Sequence, residues 1–220
     1  MVWGGSALQP NRVIMEEEVC ITFLRHGRSR ADDENVHEGR YDSPLTDTGR
    51  AQVRLRAQEF LSRNIHFDRI ISSTLMRAYE TASIIGQALN VQVETDADWM
   101  ELDNGPLAGM PRTVAAKRYP KPDFRNPYEP IYGTGESEWE IYRRGARAVE
   151  NVIRRGLGSY LVVAHGAILN AALRTIVGAP PSVNQQGILF RFGDTGYARF
   201  IYYPSKHRWY LIEFTPGNPE

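Results

Sequence analysis

A single cysteine, Cys20, stands in the 220 residues, so no intrachain disulfide can form. That usage fits a reducing compartment. Cys20 falls within an apolar run, and the expectation for it is a buried, inert thiol. Charge of either sign is not in surplus either: 26 Lys and Arg balance 26 Asp and Glu. Nucleic-acid binders carry a basic excess, so that class of partner is set aside. Long hydrophobic runs are missing, and none approaches the roughly 18 residues that a membrane span needs. The opening MVWGGSALQPNRVIMEEE has no basic segment leading into a continuous apolar one. It therefore reads as a loosely ordered extension over residues 1–18, not a signal peptide, and the expected compartment is the cytoplasm. No internal repeat, low-complexity tract or Gly-rich phosphate loop occurs. The five histidines show no metal-ligand spacing, so neither metal nor cofactor is expected.

What is present is enough apolar material, 42% of residues, for a core without disulfide staples. A single domain over residues 19–220 is expected. VCITFL (19–24) is short, β-branched and apolar, and predicts a buried strand. A polar loop follows to Ser43, then a helix over Thr46–Ser62 with Thr46 as N-cap. FDRIISS (67–73) predicts a second strand, Leu75–Leu89 a helix ending near Asn90, and VQVE (91–94) a third strand. Between Asn104 and Gly135, six prolines (106, 111, 120, 122, 127 and 130) alternate with Tyr119, Phe124, Tyr128 and Tyr132. Prolines at that density break regular structure, and the aromatics argue for an ordered lid with one short helix at Arg112–Arg118. Ser137 and Glu140 have the spacing of a capping box for a helix running to about Arg155. SYLVVAHG (159–166) predicts a buried strand, Ala167–Val177 a helix, and Ile188–Phe214 two or three antiparallel strands. Strands alternating with helices, and a strand-rich end, predict an α/β three-layer sandwich with a mixed, mostly parallel sheet.

Two of these apolar strands end alike, in ITFLRHG and LVVAHG. Ligands of open α/β sheets bind beyond the carboxyl ends of the strands, so His26 and His165 would meet there if both strands are parallel and central. Each is followed by a glycine, Gly27 or Gly166, which permits close approach. SSTLMRAYETA (72–82) leads from a strand into a helix whose first turn can hold an anion, with Arg77 one turn in. Arg25 closes a buried strand and needs an anionic partner; a phosphate would satisfy both guanidiniums. Glu101, in ELDNGPLAG, is crowded by Asp96, Asp98 and Asp103. Partial desolvation there would keep its carboxyl protonated, as a general acid requires.

RHG (25–27), SPLTDTGRAQ (43–52), SSTLMRAYETA, ELDNGPLAG, GES (135–137) and VVAHGAIL (162–169) occur in one order over most of residues 19–180. In that order they resemble the histidine phosphatase superfamily, also called phosphoglycerate mutase-like, and the chain is most similar to its compact phosphatase branch. The resemblance implies a phosphoglycerate mutase-like fold and a role for each matching residue. His26 would be the nucleophile that becomes a phosphohistidine. Arg25, Arg77 and His165 would hold the phosphoryl oxygens. Glu101 would protonate the leaving oxygen and then activate water. Ser29, Arg28 and Gly166 would help bind the phosphate. The chain departs from the family's pattern at Arg28, where many members have Glu or Gln. It departs again at Asp32, where many have a phosphate-binding Asn; that role is not carried over, and Asn35 stands near as an alternative. The run Asp32, Asp33, Glu34 is read as a solvated loop.

The resemblance implies metal-independent hydrolysis of a small-molecule phosphomonoester by a histidine acid phosphatase-type enzyme. A small phosphorylated metabolite is the expected partner, and a homodimer is allowed. Two alternatives stay open: a cofactor-dependent phosphoglycerate mutase, and a phosphate-binding module of the same fold without turnover. The interval from Glu101 to His165 is short, which is similar to the phosphatases. Arg28, Arg30, Arg40 and Arg112 are the candidates to meet a second anionic group, and residues 104–135 are the expected lid over the site.

Overall fold

The computed structural model describes residues 17–130 and 132–218. The expected extension therefore lies outside the described residues, apart from Glu17 and Glu18.

Six strands form one sheet: β1 (Val19–Arg25), β2 (Arg69–Ser72), β3 (Val93–Thr95), β4 (Gly158–Ala164), β5 (Tyr197–Tyr203) and β6 (Arg208–Thr215). Their spatial order is β3-β2-β4-β1-β5-β6. The pairs β1/β4, β2/β4 and β2/β3 are parallel, while β5 pairs antiparallel with both β1 and β6. Side chains alternate across β1. Ile21 and Phe23 face a core built with α5 (Glu138–Ile153) and α6 (Gly166–Ile176). Leu24 faces a second core built with α2 (Asp47–Ser62) and α3 (Met76–Leu89). The result is the expected three-layer α/β sandwich, with β1 and β4 buried on both faces as their apolar runs require.

Local signals in the sequence set the helix ends. The Thr46 hydroxyl accepts the Gly49 amide at 3.0 Å, and Asn90 closes α3 in the left-handed conformation at φ 55°. Ser137 and Glu140 exchange the two bonds of a capping box at 3.2 and 2.7 Å. The predicted short helix is α4 (Arg112–Arg118), within a segment whose other described residues form turns and one 3-10 turn at Gly105–Leu107. Tyr128 stacks on Trp139, and Tyr119 meets Tyr132 at a tilt of 58°, so these aromatics pack on one another.

The C-terminal stretch holds two antiparallel strands, within the two or three expected, though its first part, 188–196, forms none; Gly193 there packs against the Asn218 carbonyl, which leaves no room for a side chain. Three expectations are corrected. Cys20 is half-buried, not buried, although burial still pushes its thiol pKa up. The polar loop after β1 contains a short helix, α1 (Arg30–Asp33). Asp32 is not solvated in a loop: its carboxylate accepts the Ser29 amide at 2.8 Å, capping α1 and keeping its charge engaged there. No helix among the described residues is long and apolar enough to cross a membrane.

Candidate active site

The register of β1 on β4 builds the centre. Arg25 pairs with Ala164, so the next residues, His26 and His165, leave the sheet side by side. The His26 amide donates to the Ala164 carbonyl at 3.1 Å, and the two rings lie 5.1 Å apart at 59°. This is the carboxyl end of two adjacent parallel strands, where the strand order reverses.

Each ring is fixed by a hydrogen bond. His26 Nδ1 donates to the carbonyl of Gly27 at 2.7 Å, which leaves the lone pair on Nε2. There it accepts from Arg77 Nε at 3.2 Å. Burial, then Arg77, then Arg25, hold the His26 pKa well below the usual imidazole range, so the ring is neutral. Burial does the same to His165, followed by Arg77, His26 and Arg25. His165 Nε2 lies 2.8 Å from the Ser73 hydroxyl, which already accepts the Leu75 amide at 3.2 Å. Among the described residues that hydroxyl has no other acceptor, so it donates to Nε2 and the ring proton sits on Nδ1. His165 Nδ1 is buried and has no hydrogen-bond partner among the described residues. It is a donor left for a ligand.

Arg77 is completely buried. Its Nη1 and Nη2 donate to the carbonyls of Tyr41 and Gly39, both at 2.9 Å. Arg25 Nη1 donates to the Phe192 carbonyl at 3.0 Å and lies 3.8 Å from Asp194. The two arginines thus reach the histidine pair from α3 and β1.

Glu101 caps α6. Its carboxylate accepts the amides of Leu102 at 2.7 Å, Ala167 at 3.1 Å and Ile168 at 3.2 Å. Burial nevertheless raises its pKa, outweighing those amides and Arg77, with Glu38 adding to the rise. Arg144 holds the strand of chain that carries Glu101. It donates to the carbonyls of Asp98, Met100 and Glu101 and pairs with Glu136 at 2.6 Å. A cleft of about 270 Å³ opens beside Glu101, bounded by Leu102, Ile141, Tyr142, Ala167, Asn170 and Leu189. Gly166 lines it too, and a Cβ on that residue would meet nothing within 4 Å.

His26, His165, Arg25, Arg77 and Glu101 are therefore gathered as the sequence suggested. Ser29 is close as well, completely buried, with its hydroxyl bonded to Glu38. Arg28 is not among them: its guanidinium pairs with Asp33 at 2.7 Å. Arg30 pairs with Glu34, and Arg40 with Asp103 and Glu136. Asn35 is exposed in a left-handed turn at φ 51°. Gly27 admits no ligand: a Cβ there would stand 2.8 Å from the Gly49 carbonyl oxygen, so it is the close packing of α2 that requires glycine. Glu38, Ser73 and Arg144 were missed, because nothing local in the sequence announces contacts that only tertiary folding makes.

Solved structures share this architecture. A mycobacterial glucosyl-3-phosphoglycerate phosphatase superposes with a TM-score of 0.75 at 22% identity, over 89% of this chain and 98% of that one. A phosphoserine phosphatase of Entamoeba histolytica, solved with 3-phosphoglyceric acid, gives 0.71 at 22%, over 90% and 96%. In sequence, the chain is 33% identical to phosphoserine phosphatase 1 of Hydrogenobacter thermophilus over 165 residues, covering 73% of this chain and 77% of that protein. It is 32% identical over 170 residues to a probable phosphoglycerate mutase of Yersinia enterocolitica, covering 76% and 78%. The family model for the histidine phosphatase superfamily, branch 1, matches residues 21–213, and the chain belongs to that superfamily.

Proposed function

We propose that the protein hydrolyses a small-molecule phosphomonoester through a phosphohistidine on His26. The observation that carries this reading is the state of the His26 ring: neutral, with Nδ1–H tied to Gly27 and the Nε2 lone pair facing the Arg77 guanidinium. In the first step Nε2 attacks phosphorus and the P–O ester bond breaks. Glu101 gives its proton to the leaving oxygen, and its raised pKa supports that role. In the second step the Glu101 carboxylate takes a proton from water, the water oxygen attacks phosphorus, and the P–N bond breaks. Arg25, Arg77 and His165 Nδ1–H hold the non-bridging oxygens in both steps. The cleft beside Glu101 would take the organic part of the ester.

Relatives named phosphatase and mutase stand at nearly equal identity. A mutase must also bind a second phosphate. The cleft is bordered by the carboxylates of Glu136 and Glu138, and its one guanidinium, Arg174, is bonded to the carbonyls of Ala179 and Pro180. That lining favours a monophosphorylated substrate and hydrolysis. The test is phosphate release from an aryl phosphate in excess chelator, by the wild type and by His26→Ala. Release that disappears in the variant is expected. Retained release in the variant would sink the phosphohistidine reading, and glycerate-phosphate interconversion stimulated by a bisphosphoglycerate would replace hydrolysis with mutase activity.

A further inference from the structure

One carboxylate stands where a phosphoryl group is expected. Glu38 Oε1 accepts the Ser29 hydroxyl and lies 3.4 Å from Arg77 Nε. Its Oε2 lies 3.7 Å from His26 Nε2. These are the proposed nucleophile, a buried guanidinium and the buried Ser29 hydroxyl. The Glu38 side chain is only 14% exposed, so the contacts are made out of bulk water.

The loop that carries Glu38 is pinned on both sides. The His37 amide and carbonyl bond Met110 and Gly109 of the facing segment, at 2.9 and 2.8 Å. Gly39, at φ 49°, fits against Asn104 so closely that a Cβ would lie 1.9 Å from its Oδ1. The Gly39 and Tyr41 carbonyls are held by Arg77 itself. A ligand therefore cannot clear the site by swinging the loop; the Glu38 side chain must rotate away. The charged and titratable groups facing it are His26 from the end of β1, Arg77 from α3 and Glu101 from the loop after β3. Of these only Arg77 carries positive charge, and Glu38 already offsets it.

We propose that Glu38 is an internal competitor for the phosphoryl subsite, a specificity-determining residue that takes the Ser29 hydroxyl and pairs with the Arg77 charge between turnovers. Bare phosphate must displace a tethered carboxylate of like charge and gains little in exchange. A phosphoester carries the extra binding of its organic part in the adjoining cleft and can afford the displacement. After hydrolysis the carboxylate returns and helps expel the phosphate. Glu38 thus selects for substrates that fill the cleft and limits product inhibition.

The inference rests on the reading of this site as a phosphate site, and the experiment separates the two. Inorganic phosphate is titrated by calorimetry into the wild type, Glu38→Gln and Glu38→Ala at pH 7.5 and constant ionic strength. Both variants remove the charge, and Gln keeps the shape and the acceptor for Ser29. At least tenfold tighter phosphate binding is expected in either variant that folds. A smaller gain, no change or a loss overturns the role of Glu38 while leaving the phosphate site standing. Absence of phosphate binding by all three proteins overturns both readings.

Discussion

Replacing Glu101 by Gln tests the proton transfers with the least disturbance. In the wild type, Oε1 takes the Leu102 and Ile168 amides and Oε2 takes that of Ala167. A carboxamide has one acceptor oxygen, so its NH₂ would face the Ala167 amide and leave it without a partner, at a cost of about 1–3 kcal/mol. Against this, the neutral amide is spared the desolvation that raises the Glu101 pKa, where each unit is worth about 1.4 kcal/mol. The two effects oppose, so the variant should fold, and a thermal melt checks it. Loss of general acid catalysis should lower kcat/KM for an alkyl phosphate by about 10²–10⁴. A nitrophenyl ester needs no proton on its leaving oxygen, so its kcat/KM should fall far less. Its kcat should still fall, because water is no longer deprotonated in the second step. The variant should then release a burst of nitrophenol near one equivalent and accumulate an acid-labile phosphoenzyme. Equal loss of kcat/KM for both esters, with no burst, would refute the role of Glu101.

The pH dependence follows from the same groups. His26 must be unprotonated, and its pKa is lowered by burial and by Arg77 and Arg25, so the rate should fall only as pH drops well below the usual imidazole range. Glu101 must be protonated, and burial raises its pKa, so the rate should fall again as pH rises through that raised value. A bell displaced toward acid is expected for kcat/KM with an alkyl phosphate, and its alkaline limb should be missing with the nitrophenyl ester, whose leaving oxygen needs no proton. An acid limb centred near the ordinary imidazole value of about 6.5 would contradict the burial argument. Gly27→Ala should cost about 1–3 kcal/mol by overpacking against Gly49 and Val53, and should lower kcat because His26 precedes it. Gly166→Ala, which meets open space, should melt like the wild type. A stable Gly27→Ala protein would show that the approach of α2 is not what requires glycine.

The parts of this fold legible in the sequence are those fixed within a few residues of chain. Thr46, Asn90, Ser137 and Glu140 each act on their own helix, and the alternation in VCITFL places Phe23 and Leu24 on opposite faces. The histidine pair was legible for a subtler reason. Two apolar strands ending in His-Gly can bring their histidines together only if they are parallel, adjacent and in step, and the Arg25 to Ala164 register supplies all three. Residues whose partners lie far along the chain were not legible. Arg144 is 43 residues from the Glu101 carbonyl it holds, and Ser73 is 92 from His165.

Charge was the least legible property. Arg28, Arg30 and Arg40 look in sequence like a basic cluster for an anion, yet each faces a carboxylate in the fold. The same balance reaches the centre, where Arg25 lies near Asp194 and Arg77 near Glu38. The overall neutrality of the chain is thus reproduced around His26. Such a site does not attract anions by a strong positive field. On the proposed reading, discrimination among phosphoesters comes from the exchange of one carboxylate for one phosphoryl group, and from what the adjoining cleft adds. For that reason replacements at Glu38 and along the cleft should alter substrate choice more than replacements among the surface arginines.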